Sequence, residues 1–200
     1  METLIGIVGE DFVLISADAN AGRSIVLMKD DVQKIHPLDS NKLFGAVGNP
    51  SDRDLFTEYI QKNITLYRLR TGISLSTEST AHWTRRKLAN ALRSNPYQTD
   101  LMIGGVDKDP QSEEYVPSLY YMDYLASMNK VDFGVHGHGS NFLLSVMDKY
   151  YKKGMTREEA LNLLRTCINE LKVRFIIKAP RFNVQIVDKD GIHELDPVQN

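Results

Sequence analysis

Apolar and polar positions along the chain switch between two periods. Residues 3–8 are apolar and largely β-branched, Gly9-Glu10-Asp11 is a polar turn, and residues 12–17 are apolar again. This is the pattern of a β-hairpin whose second strand ends at Asp18. Residues 24–28 and 42–47 read as further short strands, with a turn over residues 37–41. From residue 49 to 70 the period lengthens to that of a helix, with Leu55, Tyr59, Ile60, Ile64 and Tyr67 on one expected face. Asn49 or Ser51 supplies its N-cap, and Gly72 the left-handed residue beyond its end.

A second helix is expected over residues 75–94, with Ala81, Leu88 and Leu92 inward and Pro96 closing it. Trp83 belongs to the core or an interface by ordinary aromatic burial. Strands return over residues 99–106, 118–125 and 131–135. The Gly104-Gly105 pair inside the first predicts close approach of another backbone. Gly137-His138-Gly139-Ser140 opens a third helix reaching Tyr151. Thr156 and Glu159 form the capping box of a fourth, whose stripe is Ala160, Leu164, Cys167 and Leu171. A closing hairpin runs over residues 182–188 and 192–195 around Asp190-Gly191.

Strands, two helices, strands, two helices, strands: this grouped order predicts antiparallel sheets with helix pairs outside them. The expected fold class is α+β, a four-layer αββα sandwich. No linker or repeat interrupts the chain, and 200 residues suit a single domain over 1–200.

Composition narrows the function. With 42% hydrophobic and 25% charged residues, a disordered or fibrous chain is excluded. Twenty-four basic against 26 acidic residues leave a net charge of −2, which argues against gripping nucleic acid or an anionic membrane. The apolar runs are far short of the ~20 residues of a membrane helix. No basic, then apolar, leader begins the chain, and the lone Cys167 fits a reducing compartment. An intracellular protein is expected.

Few residues carry candidate chemistry. His136 and His138 lack a third ligand at metal spacing, so no metal and no cofactor are expected. The Asn63-Ile64-Thr65 sequon lies on a helix and is set aside. Cys167 reads as a core thiol. What stands out is a strand-ending Asp18, Lys34 sixteen residues on, and Gly48 fourteen further, at the end of another strand.

With the element order, that constellation resembles the proteasome β-subunit family of N-terminal-nucleophile hydrolases, over essentially the whole chain. In catalytic members an N-terminal Thr attacks, its free α-amine accepts the proton, the Asp and Lys hold and polarise it, and the Gly amide forms the oxyanion hole. The resemblance narrows to a non-catalytic eukaryotic branch, the beta-4 (beta type-2) subunits. It rests on residues 58–63, 119–125 and 186–192, and on the start Met-Glu-Thr-Leu-Ile-Gly-Ile.

The resemblance implies that Asp18, Lys34 and Gly48 are vestigial. Glu2 falls on the nucleophile position and has neither hydroxyl nor thiol. His138 stands where catalytic members carry an assisting Ser, and Phe175 where they carry an Asp. The expectation is a non-catalytic structural subunit in the β ring of a 20S core particle. Its partners would be beta-3 and beta-5 as ring neighbours, the opposite β ring, the α ring and, through the complex, a regulatory particle, in cytoplasm and nucleus. Two alternatives stay open: a threonine peptidase processed to Thr3, and a free-standing adaptor. Against Thr3, a one-residue slip in a strand turns the side chain to the other face.

Overall fold

The computed structural model describes residues 2–23, 26–175, 179 and 181–199. β1 (Thr3–Val8) and β2 (Val13–Asp18) form the N-terminal hairpin, followed by a ribbon of β3 (Ala21–Arg23) and β4 (Val26–Lys29). Next come β5 (Ile35–Asp39), β6 (Lys42–Gly48), α1 (Pro50–Thr71) and α2 (Thr77–Ala91). The second half holds β7 (Thr99–Lys108), β8 (Tyr115–Met122), β9 (Met128–Val131), β10 (Phe133–Gly137), α3 (Ser140–Tyr150), α4 (Arg157–Arg174), β11 (Arg181–Asp188) and β12 (Gly191–Gln199).

Two antiparallel five-stranded sheets result, in the orders β10-β1-β2-β11-β12 and β5-β6-β7-β8-β9. Side-chain alternation sorts each strand between two cores. From β1, β2 and the turn between them, Ile5, Ile7, Phe12 and Leu14 meet Leu143, Met147, Leu164 and Cys167 of α3 and α4. Leu4, Val13, Ile15 and Ala17 point the other way, onto Leu43, Val47, Met102 and Leu119 of the second sheet. That sheet's outer face, Phe44, Ala46, Leu101 and Ile103, receives Phe56, Ile60, Ala81 and Leu88 of α1 and α2. The layers are helix, sheet, sheet, helix, which is the expected αββα sandwich. Both faces of the inner strands are dry, so they read as apolar runs rather than alternating ones.

Four details depart from the pattern reading. Leu55, Tyr59 and Tyr67 are exposed, and α1 buries Arg53, Phe56, Thr57, Ile60 and Ile64 instead. The helix carries two apolar stripes, and only the sheet beneath decides which turns inward. The single strand expected over residues 131–135 is two, β9 and β10, in different sheets, with Asp132 at the corner accepting from the Val8 amide at 2.9 Å. The turn over residues 37–41 shortens, because Pro37 sits inside β5 at the sheet edge, where a missing N–H is tolerated. At Gly104 the close neighbour is not backbone: a Cβ would lie 2.7 Å from Val13 of the facing sheet. Gly105 does face backbone, the Asn41 carbonyl, as well as the Thr77 hydroxyl. Of the strand expected over residues 24–28, residues 24 and 25 lie outside the described ones.

Candidate functional site

Asp18, Lys34, Gly48 and Glu2 meet at one end of the two sheets. β2 ends at Asp18, which pairs with Phe182 of β11. Lys34 ends the loop before β5, and its carbonyl accepts from Ala46 of β6 at 3.0 Å. Gly48 closes β6 at φ +136°, and Asn49 then caps α1 by accepting from the Ser51 and Asp52 amides. Glu2 immediately precedes β1, and its carbonyl accepts from the His138 amide at 3.2 Å.

Asp18 lies at the base of the site, 2% exposed. Its Oδ2 accepts from Lys34 Nζ at 2.9 Å and its Oδ1 from the Thr3 amide at 2.6 Å. Burial pushes the Asp18 carboxyl above the ordinary carboxylate range, against the pull of the Lys34 ammonium and the Thr3 amide. Lys34 Nζ also lies 3.1 Å from Glu2 Oε1. The remaining Glu2 oxygen, Oε2, accepts from the Gly48 amide at 2.6 Å.

A fifth residue, absent from the sequence reading, completes the cluster. Arg53 Nη1 donates to Glu2 Oε1 at 2.6 Å, and the Arg53 side chain is 4% exposed. There was a signal for it. A cation in the first turn of a helix opposes the macrodipole, so an arginine there calls for an anionic partner. Here that partner is Glu2, with Asp54 at the solvent edge.

The chemistry available follows from which atoms are free. Both Glu2 oxygens are engaged by charge-assisted or backbone donors, so the group shared by Lys34 and the Gly48 amide is an occupied carboxylate. Thr3, the alternative nucleophile, is elsewhere. Its side chain follows Ile5 and Ile7 to the α3 side, where a Cβ on Gly139 would lie 2.5 Å from Thr3 Cγ2. The β1–β2 register runs unbroken from Leu4–Ala17 to Val8–Val13, so no bulge in the paired residues realigns Thr3.

The other candidates disperse. His138 is exposed, while His136 is buried, stacked on Tyr121 at 3.8 Å and 2.9 Å from the Leu101 carbonyl through Nε2. Among the described residues no group of three metal-binding side chains forms. Ser140, beside His138, donates to the Gly137 carbonyl at 2.7 Å. Phe175 ends α4 and packs edge-on against Phe142 at 5.5 Å, whereas residues 176–178 lie outside the described ones. Cys167 is a core thiol, raised to about 12 by burial. No helix among the described residues is long and apolar enough to cross a membrane.

Two stacked antiparallel sheets between helix pairs, with an Asp–Lys pair and a glycine amide gathered at the first residues of β1, define the N-terminal-nucleophile hydrolase fold. A family model described as proteasome subunit matches residues 1–187. The chain is 48% identical to proteasome subunit beta type-2-B of Arabidopsis thaliana over 194 residues, covering 97% of this chain and 95% of that one. It is 43% identical to proteasome subunit beta type-2 of Dictyostelium discoideum, covering 98% and 97%. With proteasome subunit beta type-4 of Saccharomyces cerevisiae it shares 36% identity, covering 100% and 99%. The chain belongs to the proteasome β-subunit family.

Proposed function

We propose that the chain is a non-catalytic, structural subunit of the β ring of the 20S proteasome core, at the beta-4 position. One observation carries the reading. Where a hydrolase of this fold presents its nucleophile to the Lys and the oxyanion-hole amide, this chain presents the Glu2 carboxylate, bonded to both. Asp18, Lys34 and Gly48 are then structural remnants, and the chain shapes the chamber in which other β subunits cleave protein in the ubiquitin-dependent pathway, in cytoplasm and nucleus.

Its surface supports the same reading. Val26, Leu27 and Met28 on β4 are exposed, as are Leu55, Leu66, Leu69 and Ile73 along and just past α1. A groove of about 410 Å³ between α1 and α2 is floored by Ile64, Tyr67, Leu75 and Trp83. Apolar surface on this scale marks protein contact. We assign these surfaces collectively to ring neighbours beta-3 and beta-5, the opposite β ring and the α ring, with a regulatory particle joined through the complex.

Size-exclusion chromatography of a native extract tests the proposal. The chain should co-migrate with a particle of several hundred kilodaltons; a band only at the mass of the free chain or a small oligomer would remove it and favour the adaptor.

A further inference from the structure

We propose that Lys34, Arg53 and the Gly48 amide form a receptor for a carboxylate, with the Glu2 side chain as its resident ligand. The three donors come from separate stretches of chain: the loop before β5, the first turn of α1, and the end of β6. They converge on one group. Lys34 Nζ lies 3.1 Å and Arg53 Nη1 2.6 Å from Oε1, and the Gly48 amide 2.6 Å from Oε2. Both cations are almost wholly buried, at 0% and 4% exposure.

Nothing else among the described residues takes over if the ligand leaves. Asp18 is committed to Lys34 and to the Thr3 amide. Asp54 engages Arg53 through Nε, on a side chain that is 65% exposed, and leaves Nη1 facing inward. Gly48 cannot turn its amide away, because it ends a strand paired residue for residue with β7. With Asp18 on Lys34, and Asp54 screened by solvent at Arg53 Nε, the two buried cations and the fixed N–H keep a demand for one further negative charge carried on two oxygens. A planar monocarboxylate such as formate or acetate meets it; a tetrahedral dianion such as sulfate does not match either count. The start of α1 beside Gly48 adds a favourable field for an anion.

This inference rests on the reading that Glu2 occupies the nucleophile's place, and its test reads amide protection rather than peptidase activity, so either can fail alone. Glu2→Ala is introduced into the full chain within its native particle. Exchange of the Gly48 amide is then measured by mass spectrometry in sodium chloride, sodium formate and sodium sulfate at equal ionic strength. In chloride the amide should exchange on the order of tenfold faster than in the unaltered chain. Formate should restore most of that protection, sulfate should not, and the unaltered chain should respond to neither. Glu2→Ala/Arg53→Met should lose the formate response. Where Glu2→Ala does not enter the particle, Glu2→Ser, short enough to leave the cradle vacant, takes its place. Exchange indifferent to formate, or restored equally by sulfate, or still restored without Arg53, overturns the assignment.

Discussion

The backbone amide of Thr3 donates to the Asp18 carboxylate at 2.6 Å, while the Thr3 side chain faces Gly139 on the α3 side of the sheet. The acid that would orient a nucleophile thus holds the backbone of a residue whose hydroxyl points elsewhere. Chain cleavage before Thr3 would also discard the Glu2 carboxylate and leave the buried Arg53 with only the solvent-exposed Asp54 as its partner. We expect intact-mass analysis of the native chain to show Glu2 retained. A mass for a chain beginning at Thr3 would restore the peptidase reading.

Lys34→Ala should leave the three peptidase activities of the assembled particle unchanged when normalised to particle concentration. Its effect should appear in yield. With Lys34 at 0% and Asp18 at 2% side-chain exposure, losing the cation costs about 3–5 kcal/mol, less to the extent that Asp18 takes up a proton. Fluorogenic peptides for the three activities supply the assay; selective loss of one at normal yield would contradict a purely structural role.

Gly48→Ala should be far more damaging than its size suggests. The backbone there has φ +136°, and a Cβ would lie 2.3 Å from the Gln98 carbonyl oxygen. Strain and collision together should cost upwards of about 3 kcal/mol. Thermal denaturation and particle yield check this, with the exposed Gly154→Ala, where a Cβ meets nothing within 4 Å, separating the strain of a positive φ from collision.

Acid should weaken the fold through His136. Burial lowers its pKa below the ordinary 6.5, against the nearby Asp100 and the Leu101 carbonyl, so the folded chain holds the ring neutral while the unfolded chain protonates it. The folded value being depressed, this contribution is whole above about pH 6.5 and is lost as pH falls below it. Half-buried His36, lowered mainly by burial as well, acts with the same sign. His136→Gln, which still offers an N–H to the Leu101 carbonyl, should flatten the fall in melting temperature between pH 7 and 5 without abolishing it.

Cys167 should resist alkylation in the native state. Its thiol is fully buried against α3 and the first sheet, and burial raises it to about 12, leaving little thiolate at pH 8. Iodoacetamide should label it only on unfolding; rapid labelling of intact particles would show that α4 opens locally.

Much was decided by the sequence alone. Local signals set the capping box at Thr156 and Glu159, the Asn49 cap, the Gly72 terminus and the hairpin at Asp190-Gly191, because each depends on residues within a few positions of one another. The αββα order followed from grouping strands and helices, and the spacing of Asp18, Lys34 and Gly48 was legible because it is a count along the chain. Tertiary structure decided the rest. Which of two apolar stripes on α1 turned inward, and that residues 131–135 divide between two sheets, depended on surfaces contributed from far along the chain. Arg53 is the clearest case. Fifty-one positions separate it from Glu2, and only the stacking of one sheet on the other brings guanidinium and carboxylate to 2.6 Å. Sequence identified a missing hydroxyl at residue 2; packing filled the place with an ion pair, because cations buried at the end of the two sheets require a counter-charge within reach.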